Sequence, residues 1–274
     1  MLEDEPPDEE QGRQQLRGVF MAAEIIAVSN QKGGVAKTTT TMSLGACLVE
    51  LGHRTLIVDL DSQANLTLAA GMDPSHLEHT IVDLFDGRKN GAYRRKTVLD
   101  GLHLLPADLR LSRVERALYE KGSYEETLLR LLQPWMDQYE YILLDCPPSF
   151  GAMTIIALIA ADRVLIPVQP EYYAARGLSR LMRIAKFIKS RTGKKVHYHV
   201  LVTMLDTRNR IHRLVLDKLS SNFPDTMMET KINIDTNLRE CPAPGEPIIL
   251  YDSNTRASQE YRALARELIA EVTS

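Results

Sequence analysis

The chain is 274 residues long, 44% hydrophobic and 25% charged, with a formal net charge of −3. This is the balance of an ordinary globular protein, with room for one large α/β domain or two small ones. No apolar run approaches the roughly 20 residues of a membrane-spanning helix, and the acidic start lacks the basic and apolar regions of a signal peptide, so a cytoplasmic protein is expected.

In chain order, residues 1–12 hold six acids (Glu3, Asp4, Glu5, Asp8, Glu9 and Glu10) and no base. Such a composition buries too little apolar surface to order itself, so residues 1–22 are expected to be a disordered acidic extension, either dispensable or partner-binding. Met21 stands just before the first strand and is an alternative start of the reading frame. Glu24–Val28 reads as a strand, followed by a glycine loop and a helical pattern from Thr38 to Leu51 that Gly52-His53 ends. Thr55–Val58 is a second buried strand running into Asp59-Leu60-Asp61, and Tyr141–Leu144 runs in the same way into Asp145. Leu102–Leu105, Arg163–Val168 and Val196–Thr203 are further strand candidates, with helices between them, among them Ala174–Arg191. The alternation predicts an α/β fold: a single P-loop NTPase domain over residues 23–274, with a mostly parallel sheet and helices on both faces.

A polyphosphate needs converging backbone N–H groups, a cation and a hydroxyl that completes a magnesium shell. Lys32-Gly33-Gly34-Val35-Ala36-Lys37-Thr38, with Thr39 after it, offers these at a helix N-terminus, where the dipole favours anions. Lys37 is placed to reach the β- and γ-phosphates and Thr38 to ligate Mg²⁺; the plainer alternative is a glycine turn without a ligand. Ala36 stands where P-loops usually carry glycine. One methyl group suits helical dihedrals, so helix geometry is expected to begin there and ATP binding to survive. Asp145 fits the Walker B role, holding a magnesium-bound water, or is a strand-end turn residue. Cys146-Pro147-Pro148-Ser149 then forms a rigid exit suited to a switch loop. Asp59 and Asp61 share one side of an extended segment, and the residues alone leave open a solvated turn or a site that orients an attacking water.

Between Tyr172 and Lys218 there are twelve Lys or Arg against only Asp206 and Asp217. On the helix Ala174–Arg191, Arg176, Arg180, Arg183 and Arg191 fall within about a third of the circumference, with Leu178, Leu181, Ala185 and Ile188 roughly opposite. Lys194, Lys195, Arg208, Arg210 and Arg213 continue the basic run. It is either an ordinary solvated face or a surface for DNA phosphates.

Lys32, five positions before Lys37, resembles the signature lysine of the ParA/MinD family of deviant Walker A ATPases. Asn30–Thr40, Asp59–Asn65, Asp145–Ser149, Val168–Tyr173 and Pro247–Tyr251 are similar to ParA-type (Soj-like) partition proteins, in the same order along nearly all of residues 23–274. The resemblance implies an ATP- and Mg²⁺-dependent homodimer in which Lys32 reaches the partner's nucleotide, Lys37 grips phosphate, Asp61 positions water near the metal, and Thr38 and Asp145 serve the metal. It also implies non-specific binding to double-stranded DNA, a nucleoid-associated location, and release when a ParB-like partner stimulates weak hydrolysis. It matches Arg208 to a DNA-contacting arginine. A second basic residue is usual before Leu238-Arg239-Glu240-Cys241-Pro242, but Asn237 is there, so either Arg239 substitutes or the contact is absent.

Two rival functions stand beside this one. A MinD-like positioning ATPase would need a basic amphipathic C-terminal helix for the membrane, whereas residues 259–274 mix Glu260, Glu267 and Glu271 with Arg262 and Arg266. A metabolic P-loop enzyme, such as a ligase or an iron–sulfur reductase, is the other. Cys47, Cys146 and Cys241 are far apart without CxxC spacing, which disfavours a cluster, a zinc site or a disulfide framework and suggests reduced, buried thiols. His197, His199 and His212 are read as surface or packing residues.

Overall fold

Strands rich in branched apolar residues, buried on both sides, pair here into one eight-stranded sheet. The structure, a computed structural model, describes residues 23–88, 93–121, 124–172, 174–192 and 196–272. The acidic extension, Tyr173, Lys194 and Lys195 lie outside the described residues, as do the side chains of Arg176, Arg180, Ala185 and Arg191. The strands are β1 (Glu24–Val28), β2 (Thr55–Asp59), β3 (Arg95–Lys96), β4 (Leu102–Leu105), β5 (Tyr141–Asp145), β6 (Arg163–Val168), β7 (His197–Leu205) and β8 (Met227–Asn233). Their order is β3-β4-β2-β5-β1-β6-β7-β8, and every pairing is parallel except that of the two-residue β3 with β4.

The helices are α1 (Lys37–Glu50), α2 (Asn65–Ala69), α3 (Ile81–Phe85), α4 (Leu111–Lys121), α5 (Thr127–Leu132), α6 (Ala152–Ala160), α7 (Ala174–Thr192), α8 (Arg210–Asn222), α9 (Asn237–Glu240), α10 (Ile248–Tyr251) and α11 (Arg256–Val272). Strand alternation divides the core into two layers. Ile25 and Ala27 of β1 join a cluster with α3 to α8, while Ile26 and Val28 join one with α1, α2, α10 and α11. Leu178, Leu181 and Ile188 of α7 are buried and Arg183 is exposed, as the helical period predicts.

Boundaries differ little from the expected ones: β7 runs to Leu205 rather than Thr203, and α1 starts at Lys37. The strand β8 is not anticipated by the pattern, because only Met228 and Ile232 of its seven residues are buried. This edge strand is ordered instead by α11. Glu267 accepts the backbone N–H groups of Glu229 and Thr230, and Glu260 accepts that of Asn233 at 2.8 Å.

Gly45 lies where α1 crosses the sheet, and a Cβ there would stand 2.9 Å from Ile57 Cγ2 and 3.1 Å from Leu102 Cδ1. Ile57 is fully buried and β-branched, so it has little freedom to turn away. Gly45→Ala is expected to destabilise the protein by about 1 kcal/mol, overpacking outweighing the gain in helix propensity. Urea unfolding should show a lower midpoint with unchanged slope; an equal or higher midpoint would contradict this packing.

Candidate nucleotide-binding site

The loop after β1 is held by neighbouring strands. Asn30 donates from Nδ2 to the Pro167 carbonyl of β6 at 2.7 Å and accepts the Lys32 N–H at 3.0 Å. Thr203 of β7 donates to the Val35 carbonyl at 3.1 Å. Between these anchors Gly34 has φ +73°. Ala36 has φ 65° and ψ 32°, which corrects the expectation of helix geometry at this residue. The chain reaches the first turn of α1 through a left-handed residue, and α1 takes up right-handed dihedrals only from Lys37. For an L-residue this conformation costs roughly 1–2 kcal/mol, which the anchors at both ends of the loop impose.

A Cβ built on Gly33 or Gly34 meets nothing within 4 Å, so the loop faces open space. Lys37 lies buried behind it, with Nζ 3.4 Å from the Lys32 carbonyl. Burial holds its ammonium below the ordinary lysine value, with Asp145 opposing the shift. Thr38 donates to Asp145 Oδ2 at 2.7 Å. Thr39 is half-buried and lines a cavity of about 310 Å³ with Met42, Asn65, Cys241 and Pro242. A smaller cavity on the other side joins Ala36 and Thr39 to Met204, Asp235 and Arg239. Sequence reasoning missed these walls. Met204 has φ 52°, and no sequence signal marks a methionine for that conformation.

The pair left open in the sequence is divided by burial. Asp59 is fully buried and accepts the Thr67 N–H at 2.9 Å, the Thr67 hydroxyl at 2.8 Å and the Asp61 N–H at 3.1 Å. It ties the loop to α2. Asp61 is partly exposed and accepts only a local bond from Gln63 among those described, which leaves carboxylate valence toward the loop. Asp145, in register with Val28 and with Asp59, is pushed well above the usual carboxylate range by burial and then by the Asp59 charge. Two buried carboxylates against one ammonium favour added positive charge. Among the described residues no group of three or more His, Cys, Asp or Glu can hold a metal ion. A cation beside Thr38 and Asp145 would therefore take most of its oxygen ligands from phosphate and water, as Mg²⁺ does.

Lys32 points out of the loop, with Nζ 2.6 Å from Glu171 Oε2 and 3.3 Å from Gln169 Oε1, and both side chains of the ion pair are 48% exposed. Such an exposed pair is worth about 0–1 kcal/mol, so Lys32 is parked rather than trapped. The helices α7 and α8 follow the parallel neighbours β6 and β7 and pack together, so both start at the carboxyl edge of the sheet. Arg176, Arg180 and Arg183 lie on the first, and neither first turn holds an acid. Arg208 is exposed and bonded to Asp206, and Arg210 and Arg213 are exposed. Arg239 is exposed too and borders the smaller cavity beside the loop. His212 accepts the Asp206 N–H and His199 pairs with Glu271, so both are packing residues.

A protein-family model described as an AAA domain matches residues 23–198. Sporulation initiation inhibitor protein Soj of Bacillus subtilis is 40% identical over 249 residues, covering 90% of this chain and 98% of its own. Chromosome partitioning protein ParA of Myxococcus xanthus is 38% identical over 255 residues, covering 92% and 90%. The structure of cobyrinic acid a,c-diamide synthase from Mycobacterium smegmatis with bound ATP analog and magnesium is similar with a TM-score of 0.80 and 31% identity, covering 92% of this chain and 96% of that one. Fold and loop together define a P-loop nucleotide-binding domain. More narrowly, the chain belongs to the ParA/MinD family, beside the Soj and ParA chromosome-partitioning proteins.

Replacing the left-handed alanine tests the loop. Ala36→Gly should raise stability by about 0.5–1 kcal/mol, the relief of strain less the unfolded-state entropy of glycine. Thermal unfolding reads this directly, and an unchanged or lower midpoint would remove the strain from the account.

Proposed function

We propose that this chain is a DNA-partitioning ATPase, in which ATP and Mg²⁺ join two copies face to face and the dimer binds double-stranded DNA without sequence preference. The observation that carries this reading is Lys32, at the front of an open phosphate loop and held by an exposed, weak ion pair with Glu171 and a longer hydrogen bond to Gln169. A lysine so placed can leave Glu171 for a phosphate of the partner's nucleotide at little cost. The loop from Gly33 to Thr39 wraps the phosphates and Lys37 offsets their charge. Thr38 and Asp145 hold Mg²⁺, which neutralises charge on the β- and γ-phosphates when bound. Asp61 orients the attacking water, and the cavities beside Thr39 receive the nucleoside. Hydrolysis is slow until a ParB-like partner completes the site, and the DNA is then released. The basic N-terminal parts of α7 and α8 supply the phosphate contacts, which fits a cytoplasmic, nucleoid-associated protein.

The C-terminal helix supports this reading over a membrane-positioning one. The apolar face of α11 is buried through Tyr261, Leu264 and Leu268, and most of its charges are engaged within the fold: Arg262 with Glu50, Glu260 and Glu267 with β8, and Glu271 with Arg163. Little is left to enter a bilayer. Amide synthesis that drew nitrogen from glutamine would need a reactive thiolate. Burial instead pushes the Cys47 and Cys146 thiols up to about 12 and Cys241 up to about 11.

Sedimentation and duplex binding with ATP, with ADP and without nucleotide test the switch. The wild-type chain should dimerise and bind unrelated duplexes only with ATP, and Lys32→Ala should remain monomeric. DNA binding that ignores nucleotide, or a Lys32→Ala dimer, would sink the proposal. Separately, Asp61→Ala is expected to bind ATP and DNA while turnover falls by about two orders of magnitude or more; near-normal hydrolysis would move the water-positioning role to another residue.

A further inference from the structure

The two charge extremes of this chain lie on separate segments: six acids and no base in residues 1–12, twelve bases against two acids in residues 172–218. We propose that Glu3–Glu10 docks on the basic face at the N-terminal parts of α7 and α8 of the same chain, covering that face until DNA displaces it. This rests on the DNA-binding reading for its consequence, though not for the contact itself.

The receiving surface is short of negative charge in a specific way. Both helices begin at the same edge of the sheet, and neither has an acid in its first turn, where a negative group would be favoured by the dipole. Arg183, Arg208, Arg210 and Arg213 are exposed there. The partners that α8 and its preceding turn offer them are few. Asp206 takes Arg208, and the Thr207 carbonyl takes Arg213. An external polyanion therefore gains both the arginines and two helix N-termini. A run of clustered carboxylates has the charge density to be one.

The tether is long enough. The strand β1 starts at Glu24, two strands from β7, a lateral distance of about 10 Å. The nine residues of β7 rise about 30 Å to the edge where α8 begins. Twelve residues lie between Glu10 and Ala23, a span of up to about 45 Å when extended. A link of this kind holds the acids at roughly millimolar effective concentration over the face, so even a weak contact is populated. Because Arg183, Arg208, Arg210 and Arg213 are exposed, the contact is screened over about 10 Å at 0.1 M salt. It acts as a competitor of DNA and not as a permanent seal.

The test uses the full chain and a second full chain with Glu3→Gln, Asp4→Asn, Glu5→Gln, Asp8→Asn, Glu9→Gln and Glu10→Gln. With ATP at low salt, the neutralised chain should bind a random-sequence duplex about tenfold tighter, and the difference should close as salt rises. A fluorescent peptide of residues 1–12 should bind the neutralised chain at up to millimolar concentration and be displaced by duplex. Adding Arg208→Gln, Arg210→Gln and Arg213→Gln to that chain should abolish peptide binding. Equal duplex affinities with no peptide binding would overturn the docking and leave the DNA reading intact. Peptide binding indifferent to the three arginines would overturn the assigned surface. If neither chain binds duplex while the peptide still binds through the arginines, the DNA reading fails and the docking stands.

Discussion

At the carboxyl ends of β5 and β2, Asp145 and Asp59 are buried side by side, and the site depends on how that charge is managed. One is tied to Thr38 at the start of α1, the other to Thr67 of α2. The same two bonds that steady the carboxylates therefore fix the two segments that flank the phosphate loop. Lys37 is drawn into the same low-dielectric corner, where its charge is opposed by burial and favoured by Asp145. The arrangement is electrostatically unfinished, since an anion with its own divalent cation satisfies the lysine and the carboxylates together. Nucleotide affinity is in this sense a property of how the strands end.

Much of this was legible from residue order. Strand, glycine loop, lysine and threonine are local in sequence and obey a spacing that phosphate geometry demands. The branched apolar runs of β1, β2, β5 and β6 announce burial on both sides. What stayed hidden was non-local. Ala36 has an ordinary helix-forming side chain, and its left-handed backbone follows from anchors on β6 and β7 more than a hundred residues away. Asp59 and Asp61 are chemically alike, and only their depth separates a structural acid from a free one. The strand β8 has too few buried residues to show a period, and carboxylates from α11 order it from outside.

The surface is divided along the same lines as the core. Charged residues of α11 are spent on intramolecular contacts with β8, α1 and β6, and its apolar stripe is inside. Arg183 of α7 and Arg208, Arg210 and Arg213 at the start of α8 are exposed. Helices are locked to strands at both ends of the doubly covered sheet, by Arg163 with Glu271 at the amino end and by Asp145 with Thr38 at the carboxyl end, but the open phosphate loop lies at the carboxyl end alone. This matches the general habit of open α/β sheets, which bind ligands at the carboxyl ends of their strands.

The carboxylates that cap β8 bear on how copies of the chain can assemble. One margin of the sheet has its amide groups occupied by Glu260 and Glu267, and the other ends in the two-residue β3. Among the described residues, one margin is partly bonded already and the other is short, which disfavours the addition of a neighbour's strands. A two-fold contact between copies needs no such strand addition, because it uses the same patch on both partners and closes on itself. The described margins of the sheet thereby weigh against open-ended growth of the sheet from copy to copy.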